Sequence, residues 1–506
     1  MATVRRALVV VALLATAGCG IQLPDGSTRS SPPVTAGPSP TPSSRPPGTT
    51  FPEALAAEVP GLERVSADYL AAGEPGQHAT EAEADSFAWN ATLVSAFQVG
   101  RMATGGAARI GWATTLDAGR TWSHGLLPEE PEAADRPALV SDPAVAYDAA
   151  HDVWLVNSLA RTADRSMGLR VQRSTDGART WSAPTPVAGP DRTGADKNWI
   201  ACDNGRKSAH RGTCYVAWDA AERDGQIRLS RSTDGGLTWS APQAPARRGS
   251  GVGVQPVVRP DGRVVLAYLG SHGRTASIDA VTSDDGGATW DPPIRVAGLS
   301  EHPTPTLRAF SLPVAEVDGR GRVYLAWSDC RFRRGCATDD IVLATSDDGL
   351  RWSAPVRVPL SGGGSATEHV IPGLAVTSSS SGPAGLALFA YAADGLGSDD
   401  HAGRVRLVVA TSTDGGRRWT GARPIGPAMR LADVALTTNV EEGNKARQRF
   451  LGDYLSGSIT GGRAWTVFAL ARPAPATGRF DQAMYVPAGG VDLRPGNRPA
   501  TTSIAD

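Results

Sequence analysis

From residue 80 onward, apolar and polar positions alternate in short runs, and the runs recur in threes. A short apolar run such as "PAVAYD" or "QPVVR" comes first, followed by a longer one such as "TLVSAFQV", "TCYVAWDA" or "RVYLAWSD". A third run, for example "ARIGWATT", "GLRVQRS" or "DIVLATS", follows. All three kinds are rich in β-branched and aromatic residues at period two, the signature of half-buried strands. Each third run ends at a polar turn, and "WSAP" or a close variant after most turns begins a fourth strand.

The turn itself repeats: "TLDAGRTW", "STDGARTW", "STDGGLTW", "SDDGGATW", "SDDGLRW" and "STDGGRRW". Its closing tryptophans are Trp122, Trp181, Trp239, Trp290, Trp352 and Trp419, spaced 59, 58, 51, 62 and 67 residues apart. Aspartate is suited to accept backbone N–H groups inside a tight turn. Glycine supplies a positive φ, and tryptophan closes the turn against the sheet. Two copies depart from the pattern: Ala178 takes the glycine position in the second, and the fifth is one residue short.

The string resembles the Asp box, or bacterial neuraminidase repeat, and the region from about Glu81 to Val486 resembles sialidase-like β-propeller proteins. The resemblance implies an all-β propeller of four-stranded blades, with Asp boxes between strands three and four and ligands bound at the opposite end. Six boxes mark six blades. After the last one, "GDYLSGSI", "RAWTVFALA" and "FDQAMYV" read as three strands of another unit. The missing strand is expected from residues 62–67, "LERVSA", which closes the ring. Seven blades are the preferred count. Six, with an irregular C-terminal segment, is the alternative, because the sialidases best known for Asp boxes have six.

Composition changes the picture mainly at the N-terminus. Arg5 and Arg6 precede an apolar stretch at 7–17, and Ala17-Gly18-Cys19 resembles a bacterial lipobox, although Thr16 stands where an aliphatic residue is usual. Residues 1–19 therefore read as a lipoprotein signal peptide, with Cys19 the lipidated residue. Residues 20–58 read as a Pro/Ser/Thr-rich tether, 59–490 as the propeller and 491–506 as a disordered tail. The expected location is the cell membrane, lipid-anchored on its extracytoplasmic side. Fifty basic and 51 acidic residues give a net charge of −1, which offers no support for nucleic-acid binding. The chain is read as a monomer without cofactor or metal. Cys202, Cys214, Cys330 and Cys336 suggest disulfides in an exported chain, and local pairing, 202 with 214 and 330 with 336, is the simplest of three connectivities. A zinc site is the alternative, but no CxxC supports it. "SDDH" at 398–401 is an acidic loop, read as solvated rather than calcium-binding.

The propeller resemblance places a ligand face at the mouths of the inner strands, where ionisable residues gather: Glu81, Glu83, Asp142, Asp196, Lys197, Arg308, Glu368 and Asp453 among them. A sialidase needs an arginine clamp for the sugar carboxylate, a tyrosine nucleophile with a neighbouring glutamate, and an aspartic acid/base. The resemblance assigns these to Arg101, Arg308 and Arg331, to Tyr454 with Glu368, and to Asp196. One departure stands against that chemistry: the Phe/Tyr-Arg-Ile-Pro motif that opens the first sialidase blade is absent. Two readings result, a glycoside hydrolase of sialidase type acting on an acidic sugar, and a non-catalytic propeller binding a glycan or protein at the cell envelope.

Overall fold

The structure, a computed structural model, describes residues 59–129, 137–191, 194–245, 250–397, 402–438, 447–474 and 480–494. Cys19, the signal segment, the tether and the 398–401 loop lie outside the described residues. The described chain is all-β, its helical elements being three 3-10 turns at Ala221–Arg223, Arg334–Cys336 and Leu431–Asp433. Every strand pairing within the sheets is antiparallel, as expected of short alternating runs joined by tight turns.

Strands pair in sequence order. Glu81–Trp89, Thr92–Arg101, Ala107–Thr115 and Ser123–Leu126 form one group, and Leu139–Asp148, Val153–Arg161, Met167–Ser174 and Thr185–Asp191 form the next. In the third group the outer strand is reduced to one bridge, Leu229 to Gln243. Three four-stranded groups follow, the last ending at Arg430. Beyond it, Ser458–Thr460 pairs with Arg463–Trp465, and Phe468–Ala471 pairs with Gln482–Pro487. The N-terminal strand Leu62–Arg64 then pairs with Gln482–Pro487, with Leu62 opposite Pro487 and Arg64 opposite Tyr485. It is shorter than the six residues expected from the sequence, because Val65, Ser66 and Ala67 leave the strand.

One boundary is corrected. The tail read as starting at 491 is still structured there: Val491–Asp492 pairs with Arg463–Trp465, and Val491 and Leu493 are buried. Two apolar side chains spaced by two residues hold the segment down.

Six clusters of buried apolar side chains hold the sheets face to face. Five join one sheet group to the next, and the sixth unites Leu93 and Phe97 from the start of the domain with Phe389, Trp465 and Tyr485 from its end. Each Asp-box tryptophan packs on a different cluster, so the repeated turn anchors each group to its predecessor. The Asp-box hydrogen bonds repeat as well. In the third copy, Asp234 Oδ1 accepts the N–H groups of Leu237 and Thr238 at 3.0 Å each, Oδ2 accepts the Thr238 hydroxyl at 2.6 Å, and Ser232 Oγ accepts the Gly236 N–H at 2.9 Å. The alanine at position 178 adopts φ 61°, so its box closes as the glycine copies do, with the Ala178 N–H on Ser174 Oγ.

Both expected disulfides are formed, Cys202–Cys214 and Cys330–Cys336. The first joins directly opposed residues at a strand-pair end, and the second closes a loop after Val323–Asp329.

Candidate functional site

Five inner strands carry a register shift near their mouths: between Ala82 and Asp85, Ser141 and Ala144, Asp196 and Trp199, Val252 and Gln255, and Val370 and Gly373. One residue at each shift has positive φ: Glu83 at 56°, Asp142 at 47°, Lys197 at 43°, Gly253 at 68° and Ile371 at 53°. Only one of the five is glycine. Left-handed backbone is costly for the others, and most of all for the β-branched Ile371. A bulge bends its strand and re-aims a side chain, and here three bulges deliver Glu83, Asp142 and Lys197 to one place.

At that place stands Asp453. Its carboxylate takes a two-pronged grip from Arg308, Nε to Oδ1 and Nη2 to Oδ2 at 2.7 Å each, and Lys197 Nζ lies 3.0 Å from Oδ2. Lys197 also approaches Asp142 Oδ1 at 3.4 Å and Asp196 Oδ1 at 3.2 Å. The Asp453 N–H donates to Glu83 Oε1 at 3.1 Å. Burial opposes ionisation of Asp453, but Arg308 and Lys197 outweigh it and hold the carboxyl far below its usual range. Burial likewise opposes a charged Lys197, and Asp142, Asp196 and Asp453 overcome it. Glu83 goes the other way: burial, then the charges of Asp142 and Asp453, push it up to about 8. Burial also raises Asp142 and Asp219, the latter reinforced by Asp196.

Four of the six residues assigned from the sequence meet here. Arg308 does so through Asp453. Asp196 lies at the exposed edge, its side chain 43% accessible, against Lys197. Arg101 is buried beneath, its guanidinium 3.7 Å above the Phe450 ring and donating to Gln98 Oε1 at 2.9 Å, with its Nε unpartnered. Tyr454 donates its hydroxyl to the Pro143 carbonyl at 2.9 Å and sets its ring edge-on to Trp199 at 4.9 Å. Burial, then the charges of Glu83 and Asp142, raise its phenol well above the ordinary value. A nucleophilic tyrosine needs the opposite shift.

Two assignments are corrected. Glu368 does not activate Tyr454: its carboxylate contacts His302 Nδ1 at 2.5 Å and accepts the Asp339 N–H at 2.6 Å. It precedes the bulge of its own strand, so it is not re-aimed as Glu83 is. Arg331 is not part of a clamp: it folds back two residues onto Asp329, Nε to Oδ1 at 2.9 Å and Nη2 to Oδ2 at 2.5 Å.

Beside Asp453 lies a recess lined by Lys197, Trp199, Gln255, Leu312 and Tyr454, with about 420 Å³ of empty space, its open mouth included. Its enclosed part has room for about one water. Among the described residues, no three His, Cys, Asp or Glu side chains are placed to hold a metal ion.

No family model and no curated protein matches this chain. Solved structures do. A protein of unknown function from Dyadobacter fermentans is 18% identical, aligned over 73% of this chain and 99% of its own, with a TM-score of 0.40. A Hadza microbial sialidase is 18% identical over 62% of this chain and 65% of its own, TM-score 0.41. An ulvan lyase, solved with bound -[GlcA(1-4)Rha3S]-, is 9% identical over 85% and 97%, TM-score 0.47. No site residue is carried across from them.

Sequence reasoning placed Glu83, Asp142, Lys197 and Asp453 on the rim but gave them no role. Lys197 carried a usable signal, being one of three lysines in 506 residues. Phe450, Gln98 and Trp199 carried none, since each reads as an ordinary strand residue.

Proposed function

We propose that this chain is a lipid-anchored, extracytoplasmic β-propeller of seven blades that binds a glycan at the mouth of its funnel. Six strand groups each place an Asp-box tryptophan on a shared apolar cluster. A seventh group, after Asp453, is completed by the N-terminal strand Leu62–Arg64. The lipobox-like residues at Cys19 and the tether support the location. On this reading Cys19→Ser releases the protein from membranes into the medium, and its retention in the membrane fraction would refute the anchor.

The observation that carries binding over hydrolysis is that the three arginines assigned to the clamp and the tyrosine assigned as nucleophile are already occupied. Arg308 holds Asp453, Arg331 holds Asp329, Arg101 is covered by Phe450, and the Tyr454 hydroxyl is spent on a backbone carbonyl. What stays accessible at the mouth is Asp196 together with the half-buried Trp199 and Tyr454, a mixed set suited to sugar hydroxyls and C–H faces. Calorimetric titration with sugars tests this: Trp199→Ala is expected to lose binding with folding intact, and undiminished affinity would count against the site. A second reading, a glycoside hydrolase, is favoured by Glu83, whose carboxyl pushed up to about 8 gives a proton donor at neutral pH. That reading requires turnover that Glu83→Gln removes.

A further inference from the structure

We infer that the ligand is a neutral sugar chain several units long, running from the funnel mouth along the loop of residues 299–313 onto the disulfide loop Cys330–Cys336; this rests on the glycan-binding reading above. Four large apolar side chains stand exposed among the described residues, and two of them, Phe310 and Phe332, are aromatics at the two ends of this path.

The 299–313 loop connects both places. At its far end Arg308 grips Asp453, Leu307 bridges Arg449, and Leu312 lines the recess. At its near end Ser300 O accepts the Cys330 N–H at 2.9 Å, Glu301 O lies 3.6 Å from Cys336 Sγ, and the residue before the loop, Gly298, accepts from Arg331. Between them His302, about one third exposed, is fixed by Nδ1 on Glu368, leaving Nε2 as the ring nitrogen turned away from that carboxylate.

Both phenylalanines are held, not free. Phe310 lies 4.9 Å from the Arg308 guanidinium, itself locked on Asp453, and Phe332 sits in a loop closed by a disulfide between residues six apart. An exposed ring in a rigid frame binds with little ordering cost, and the C–H face of a sugar ring is the surface it matches. Isolated surface apolars need no explanation, but two anchored aromatics joined to one polar recess by one loop form a path.

Neutrality follows from the pairing of charges. At the recess and the start of the disulfide loop, Arg308 with Asp453, Arg331 with Asp329 and Lys197 with three carboxylates are each already committed to an anion and leave hydrogen-bonding capacity. Such pairs exchange donors and acceptors with hydroxyls, whereas a carboxylated sugar would meet Asp453 and Asp196 as like charges.

The experiment is calorimetry on the full chain with cello-, manno-, galacto- and xylo-oligosaccharides of two and six units, and with hexagalacturonate as the acidic comparator. At least one neutral six-unit chain is expected to bind about tenfold tighter than its two-unit form, the order of one or two added ring contacts. Phe332→Ala should remove most of that increment and leave two-unit binding unchanged, and Phe332→Tyr should keep it. Equal affinity for two and six units, or tighter binding of hexagalacturonate, overturns this inference while leaving the glycan site standing. Binding of none of the sugars overturns the glycan-binding reading itself.

Discussion

Aspartates at the two ends of the molecule respond in opposite ways. In the Asp boxes Asp117, Asp176, Asp234 and Asp285 are half-buried and lowered to about 2. For Asp117 the Thr121 hydroxyl and N–H lead; for the other three, partial burial opposes ionisation and the bonds from Thr180, Thr238 and Thr289 outweigh it. Around the inner-strand bulges, burial dominates: Asp85 is pushed up to about 7, and Glu81 and Glu83 to about 8. Asp453 is the exception, because two cations reach it. The difference is one of reach. An Asp box builds its stabilisation within a few residues, whereas the buried charge cluster depends on Glu83, Lys197, Arg308 and Asp453, brought together from across the whole domain.

The comparison breaks most sharply at Lys197. Lys197→Ala leaves Asp142 and Asp453 short of a buried partner and is expected to cost about 3–5 kcal/mol in urea unfolding. Lys197→Met combined with Asp142→Asn should recover part of that loss, because the double change removes charge of both signs. An Asp-box change is expected to cost less: Asp234→Ala removes four local hydrogen bonds to a half-buried group, for about 1–2 kcal/mol. A larger loss at Asp234 than at Lys197 would reverse the ranking.

pH separates the two ends by sign. Folded Glu81, Glu83, Asp85 and Asp339, raised to between about 7 and 8, hold protons that the unfolded chain releases near pH 4. Their contribution is complete below that pH and is lost as pH rises toward 8. The Asp-box aspartates are lowered, so their contribution is present above about pH 4 and is lost as pH falls toward 2. Buried His369, lowered to about 4, adds a smaller opposite slope, its contribution being lost as pH falls from about 6.5. Thermal unfolding should therefore show a higher Tm at pH 5 than at pH 8. Glu83→Gln should flatten the alkaline limb and Asp234→Asn the acid limb. A Tm at pH 8 equal to or above that at pH 5 would contradict the assignment of raised carboxyls.

The same difference in reach explains what was legible in the sequence. The Asp boxes and the alternating strands are local or periodic patterns, and they could be read directly; the long-range pairing of Leu62–Arg64 with the last strands followed only from counting a last unit one strand short. The bulges could not. Glu83, Asp142, Lys197 and Ile371 take left-handed backbone without the glycine that would announce it, and only Gly253 gives a sign. Without the bulges, Glu368 and Glu83 look alike as acidic residues at strand mouths, and Glu368 was given the role. Arg331 was misread for a related reason: its partner Asp329 lies two residues away, nearer than any ligand.

The smallest expected effect lies within the Asp boxes. The sixth copy has Arg418 where four others have threonine, so Asp414 lacks the hydroxyl bond and keeps the N–H of Arg418 at 2.9 Å. Arg418→Thr should lower the Asp414 carboxyl further, read by NMR titration, with a small rise in Tm. An unchanged titration would mean that the hydroxyl adds nothing to the turn.

The central claim is that the Tyr454 hydroxyl is a structural donor to Pro143 and not a nucleophile. A fluorinated sialoside that traps tyrosine-linked glycosyl intermediates tests it directly, by intact mass and peptide mapping after incubation with the purified protein. An unmodified mass is the expected result. A sugar adduct on the peptide carrying Tyr454, absent in Tyr454→Phe, would contradict it.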